Sequence, residues 1–245
     1  MNDLEKRLVR LVAASRWFAS LRAAVEKSAL FEGTLRLLLL FARGAPVFFN
    51  NGESALVYDL ITTIKLEREL LLNYVEAQQL YNCVKDTVKV EGVLVEVGVF
   101  QGASAKLICE AKGEKQLYLF DTFEGIPAVS EIDPFERGQF RSSYEEVARY
   151  LKRYPGVTIV RGLFPTSGQR IADERVSFAH LDVDTFESTL ASLGFLYPRM
   201  SSGGVLMSHD YRDVRGVRKA FDDFFSDKPE PVIELAGSYC MIPKL

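Results

Sequence analysis

Apolar positions fall into two textures along the chain. Over residues 1–42, Leu4, Leu8, Leu11, Val12, Trp17 and Leu21 recur at three- and four-residue spacing, which predicts helix. The stretch IKLERELLLNYVEAQQLYNCVKD (64–86) repeats that spacing without Gly or Pro and predicts a second amphipathic helix. Between them, GAPVFFNNGESA (44–55) is a turn-rich break, so residues 1–60 read as a helical extension and 61–245 as the main domain. Beyond Val93, short β-rich runs alternate with helical ones. Strands are predicted at 93–98, 116–121, 157–162, 176–184 and 203–211, and helices at 101–113, 142–156, 188–200 and 217–227. Residues 231–242 read as two terminal strands around Gly237. The alternation predicts an α/β domain with a doubly wound, mostly parallel seven-stranded sheet.

Composition narrows the partners. Lys+Arg 30 against Asp+Glu 33 gives a formal charge of -3, which argues against nucleic acid. Cys83, Cys109 and Cys240 form no CxxC pair and are odd in number, which fits a reducing cytoplasm. His180 and His209 are the only histidines, too few for a His-rich zinc site. No secretory signal is expected at the N-terminus. Arg36, Arg43, Gly44 and Pro46 interrupt the apolar stretch 35–49, so it reads as a buried or oligomer-facing helix, not as a membrane-surface one.

In parallel sheets, ligands lie beyond the carboxyl ends of the strands. The acids sit there: Glu96 on the first strand, Asp121 on the second, Asp182 and Asp184 on the fourth, His209 and Asp210 on the fifth. The first turn reads Glu96-Val97-Gly98-Val99-Phe100-Gln101-Gly102. A dinucleotide turn would carry glycine where Phe100 stands, and a carboxylate would repel a pyrophosphate. Glu96 suits an ammonium group instead, Gly98 lets the backbone pass close to a ligand, and Asp121 is placed to accept from two ribose hydroxyls. An amino-acid end joined to a ribose describes S-adenosylmethionine. His180 points to the same strand face as Asp182 and is expected to be a hydrogen-bonded core histidine.

The segments VEVGVFQGASA, LFDTFEGIP, HLDVDTFEST, LYPRMSSGGVLMSHDY and VRKAFDDFF resemble the macrocin O-methyltransferase family, in order and at similar spacing from about Thr62 onward. The resemblance implies a Rossmann-like methyltransferase domain. It implies an O-methyltransferase using S-adenosylmethionine on a small hydroxylated substrate, a sugar or natural product. It places the methionine end of the cofactor at Glu96, Val97, Gly98, Val99 and Phe100. The ribose and adenine fall at Asp121, Thr122 and Phe123, with Ser143 nearby. Thr62 and Thr63 would help cover the cofactor, Thr166 matches a strand-end position, and residues 128–143 match a mobile cover. Similar enzymes associate through N-terminal helices, so a homo-oligomer is expected. A catechol-type phenol methyltransferase and a non-catalytic binding module are the competing readings.

The family also implies a divalent ion, usually magnesium, at positions matching Asp182, His209 and Asp210, where His209 departs from the usual Asp. Three readings stay open at this point. Magnesium rests on Asp182 and Asp210 with His209 behind them; a softer ion takes all three; or no metal binds and His209 is a base. Asp184 and His209 are the two candidates for the general base.

Overall fold

A computed structural model describes residues 52–245; the helical readings for residues 1–42 and 35–49 fall outside the described residues. The chain divides after Glu67 into two compact units. In the first, helix α1 (Gly52–Glu67) buries Val57, Ile61 and Ile64 at helical spacing. The division expected after residue 60 thus falls inside a helix.

The second unit opens with a correction. Residues 64–86 are not one helix: α1 stops at Glu67 and α2 (Tyr74–Asp86) starts anew. Asn73 Oδ1 accepts from the Val75 and Glu76 amides, and Glu76 Oε2 accepts from the Asn73 amide at 2.8 Å. This reciprocal capping box satisfies helix-end donors that a continuous helix would bond internally. Between the helices Leu70 and Leu72 are buried while Leu71 is exposed, the alternation of an extended segment.

The remaining elements alternate as expected. They are β1 (Val93–Val97), α3 (Ala103–Ala111), β2 (Leu117–Asp121), α4 (Tyr144–Leu151) and β3 (Val157–Arg161). Then come β4 (Val176–Leu181), α5 (Phe186–Leu196), β5 (Met200–Ser208), α6 (Arg215–Phe225), β6 (Ile233–Glu234) and β7 (Cys240–Pro243). One sheet holds them in the order β3-β2-β1-β4-β5-β7-β6. Among the described strands β7 is reversed, pairing antiparallel with both β5 and β6, and the other pairs are parallel. Every residue of β1 and β4 is buried, as the central strands of a covered parallel sheet must be. α2 packs on α3, and α5 on α6. Val217, Phe221 and Phe225 of α6 join Leu193 and Leu196 of α5 in the core beneath β4 and β5. Among the described residues no helix is long and apolar enough to cross a membrane.

Candidate active site

The strand ends meet at one cleft. It encloses about 920 Å³, part of it continuous with solvent. It is lined by the first turn, Val97 to Phe100, by Asp182, Val183 and Asp184 at the end of the adjacent strand β4, and by Thr122 and Gly125 to Pro127. A largely apolar cleft with a few converging polar groups is the usual form of a small-molecule site.

Gly98 is required by a neighbour and not by a ligand. Its φ is +90°, and a Cβ there would lie 1.8 Å from the Asp182 carbonyl oxygen. The strand ends come this close because the Gly98 amide donates to Phe120 O and the Asp182 amide to Val97 O, each at 2.9 Å. The glycine therefore lets the first turn and the end of β4 meet in direct backbone contact at the cleft.

Two carboxylates depart from expectation. Asp121 Oδ2 accepts from the Val99 and Phe100 amides at 2.7 and 2.8 Å, and Oδ1 from the Phe123 amide at 2.6 Å. A carboxylate has about four acceptor positions. With three filled by backbone, Asp121 ties the first turn to β2 and, lining the cleft, keeps about one acceptor position for a ligand. Glu96 is fully buried behind the cleft floor, opposite His180 in the β1–β4 register. His180 Nδ1 lies 2.9 Å from Glu96 Oε1, and its Nε2 lies 2.8 Å from the Tyr239 hydroxyl. Burial raises the Glu96 carboxyl above its ordinary range, against the His180 interaction that lowers it. Glu96 is thus a buried link to His180, while its second oxygen, Oε2, is buried without a hydrogen-bond partner. His180 is the hydrogen-bonded core histidine its strand position suggests.

The other cofactor positions divide. Thr122 lines the cleft and folds its own turn, donating to Gly125 O at 3.0 Å. Phe123 is buried and packs edge-on against Tyr144 at 5.4 Å. Ser143 caps α4, accepting from the Glu146 amide, and lies off the cleft wall. Thr166 starts a short 3-10 turn, and the β3 wall is formed by Gly162, Leu163 and Phe164 instead. Thr62 and Thr63 bond back to the Tyr58 and Asp59 carbonyls within α1. The sequence reading missed Glu69 to Leu72, Ser188 and Ser192, which also line the cleft. The Ser192 hydroxyl is buried without a hydrogen-bond partner. Such orphaned polar atoms at a cleft wall suit a polar ligand like S-adenosylmethionine.

The cover is held at two places. Ile126 and residues 138–139 exchange backbone bonds of 2.9 Å, and Phe140 packs on Phe100 and Phe135 at 5.8 Å. Asp133 Oδ1 accepts from the Phe186 amide at the start of α5 at 3.0 Å, and Oδ2 from the Ser130 amide and hydroxyl. Gly216 of α6 leaves room for it, since a Cβ there would stand 2.0 Å from Asp133 Oδ1.

At the β4 and β5 ends, Asp182, His209 and Asp210 gather with one ligand atom each, all within 4.8 Å of one another. His209 Nδ1 stands 2.9 Å from Asp210 Oδ1 and 3.4 Å from Asp182 Oδ1. Asp184 and Asp210 both hold φ of +63°, an uncommon conformation that turns their carboxylates out of the strand direction. Burial first, then the charges of Asp182 and Asp210, hold the Asp184 carboxyl well above its ordinary range. Burial would raise Asp182 as well, but His209 outweighs it and brings Asp182 down. The donor set of two carboxylates and one imidazole fits a divalent ion. Its nitrogen fits manganese, iron, nickel or zinc better than magnesium, which prefers oxygen.

Comparisons with known proteins agree with this geometry. The profile of the macrocin O-methyltransferase (TylF) family matches residues 75–236. A demethyldecarbamoylnovobiocin O-methyltransferase from Streptomyces niveus is 27% identical over 168 residues, 60% of this chain and 64% of that protein. The match thus spans just under two thirds of that relative's length. A tetracenomycin-C rhamnosyl 4'-O-methyltransferase from Streptomyces olivaceus is 30% identical over 179 residues, 64% of this chain and 68% of that protein. In fold, the O-methyltransferase NovP superposes with a TM-score of 0.65 at 23% identity, over 78% of this chain and 99% of that one. An O-methyltransferase from Bacillus cereus in complex with SAH gives 0.53 at 14% identity, over 81% and 93%. The chain belongs to the macrocin O-methyltransferase family.

Proposed function

We propose that the protein transfers a methyl group from S-adenosylmethionine to a hydroxyl of a sugar or other small natural product. One observation carries the reading: the first turn and the Asp182–Asp184 turn, at the ends of adjacent strands, line a single cleft. A cofactor along Val97 to Phe100 and Thr122 would share that space with an acceptor at Asp184. By their names, the relatives above are O-methyltransferases of demethyldecarbamoylnovobiocin and of a rhamnosyl-tetracenomycin-C, which supports the substrate class.

When bound, S-adenosylmethionine supplies an electrophilic methyl on a sulfonium. The chain's own task is to place an acceptor oxygen and take its proton. Positioning contributes up to ~7–11 kcal/mol in favourable cases. Asp184 is the proton acceptor. Burial and two neighbouring acids raise its proton affinity toward that of a useful base. His209 faces Asp182 and Asp210 and is better placed as their partner than as a base. A divalent ion on Asp182, His209 and Asp210 would supply Lewis acidity to the acceptor hydroxyl.

The test is methyl transfer to a panel of sugar hydroxyls, vicinal diols and catechols by wild type and Asp184→Asn. Asp184→Asn should lower kcat by ~10²–10⁴ while affinity for S-adenosylhomocysteine stays within a few-fold. Full kcat in the variant removes Asp184 from the role. Turnover of catechols alone would move the substrate class to phenols, and cofactor binding without turnover would leave a binding module.

A further inference from the structure

Glu76 lies outside every motif that marks the site, yet its carboxylate is one of the most tightly held on the molecule. It is 5% exposed. Its Oε2 accepts from the Asn73 amide and its Oε1 from the Ser238 amide, each at 2.8 Å. The turn between β6 and β7 is shaped around it: Gly237 has φ of +82°, and a Cβ there would lie 2.4 Å from Glu76 Oε1. Gln79 of the same helix holds that turn through Ala236 O at 3.2 Å. The carboxylate is therefore fixed to α2 on one side and to the β6–β7 turn on the other.

What it faces is His209. Glu76 Oε2 stands 3.8 Å from His209 Nε2, the ring nitrogen turned away from Asp182 and Asp210. Tyr239, two residues beyond Gly237, packs edge-on against the imidazole at 5.2 Å. The ring is boxed with Nδ1 toward the two aspartates and Nε2 toward Glu76. A histidine that ligates a metal through one nitrogen commonly presents the other N–H to a carboxylate, which fixes the tautomer and strengthens the ligand. Glu76, His209 and the aspartate pair stand in that order. At 3.8 Å Glu76 acts on the ring through charge and orientation and not through a direct hydrogen bond.

We propose that Glu76 is a positioning residue that holds His209 Nδ1 toward Asp182 and Asp210, and that the resulting site takes a borderline transition ion of the manganese, iron or zinc kind in preference to magnesium. The nitrogen donor sets the preference, and the buried carboxylate makes that nitrogen available. The proposal deepens the methyl-transfer reading, but its test does not use turnover.

The test is calorimetric titration of the chelator-treated full chain with Mn²⁺ and with Mg²⁺, with free Mn²⁺ followed by electron paramagnetic resonance. Wild type should bind one Mn²⁺ at least ~10-fold more tightly than Mg²⁺. Glu76→Gln should weaken Mn²⁺ by ~10–100-fold. His209→Asp, which makes the ligand set all-oxygen, should narrow the Mn²⁺ over Mg²⁺ ratio. Asn73→Ala removes the other half of the capping box and leaves the Glu76 carboxylate in place. It should lower stability but keep Mn²⁺ affinity. Three results overturn the proposal: no Mn²⁺ binding by wild type, equal affinity for the two ions, or equal loss in Glu76→Gln and Asn73→Ala. S-adenosylhomocysteine binding, measured on the same samples, reports separately on the methyl-transfer reading, so the two can fail independently.

Discussion

Replacing Gly98 by alanine should damage fold and site together. The added Cβ would start 1.8 Å from the Asp182 carbonyl oxygen, where side-chain carbons essentially never come nearer than 3.0 Å. The two backbones would have to part by 1.2 Å, the difference of those distances. Alanine at a left-handed φ costs about 1–2 kcal/mol, and forcing extra atoms into a packed position about 1–3 kcal/mol. Parting would also stretch the Asp182–Val97 backbone bond across the β1–β4 seam, at about 1 kcal/mol if broken. The total is roughly 3–6 kcal/mol, read by urea unfolding. In the fraction that folds, Asp182 and Asp184 would move by about an ångström, a displacement able to cost ~10²-fold in rate. Gly194 is the control. It lies inside α5 with nothing within 4 Å of a Cβ, so Gly194→Ala should stabilise by about 0.5–1 kcal/mol. If Gly98→Ala unfolds within about 0.5 kcal/mol of wild type, the close approach does not exist and the account of how β1 and β4 meet at the cleft is wrong.

Two further outcomes follow from anchored carboxylates. Burial would raise Glu230, but bonds from Lys244 and from the Tyr197 hydroxyl outweigh it and bring its carboxyl down to about 2 from 4.5. That stability is present above about pH 4.5 and is lost as pH falls toward 2; after discount for the partly exposed Lys244 it amounts to roughly 1–3 kcal/mol. Urea unfolding of wild type and Glu230→Gln should therefore differ by that amount at pH 6, narrow as pH falls below about 4.5 and converge below about pH 2; a gap that grows on acidification would reverse the assigned sign. Asp133→Ala should release the cover from α5 and lose about 1–2 kcal/mol of capping, so trypsin should cut at exposed Arg137 some 5–30-fold faster; an unchanged cleavage rate would mean that Asp133 does not hold the cover.

Much of the sheet was legible because its central strands are continuous apolar runs and its connecting helices have clear faces. VLVEV and VSFAHL could be placed as buried strands without knowing their partners. The acids of the fourth and fifth strands were legible for the same reason, since a strand's end follows from its beginning. Register was not. Glu96 and His180 are 84 positions apart and become neighbours only when β1 pairs with β4, so a carboxylate that closes a buried pair looked like one awaiting a ligand. Asp121 misled likewise, because backbone amides at 99, 100 and 123 are invisible to a count of side chains. The break at 68–73 left a signal that periodicity overlooked: Asn73 followed three positions later by Glu76 is a capping box. The same glutamate's second role toward His209 depends on a turn some 160 residues later in the chain, where Ser238 receives it.

The central claim is that the cleft lined by the first turn and the Asp182–Asp184 turn binds the methyl donor. Hydrogen exchange of the full chain, with and without saturating S-adenosylhomocysteine, tests it most directly, with affinity read on the same sample by calorimetry. The account predicts saturable one-site binding with a Kd on the order of micromolar, and slowed exchange confined to residues 97–100, 122–127 and 182–184. Absence of binding at millimolar ligand, or protection elsewhere with those amides unchanged, would contradict it.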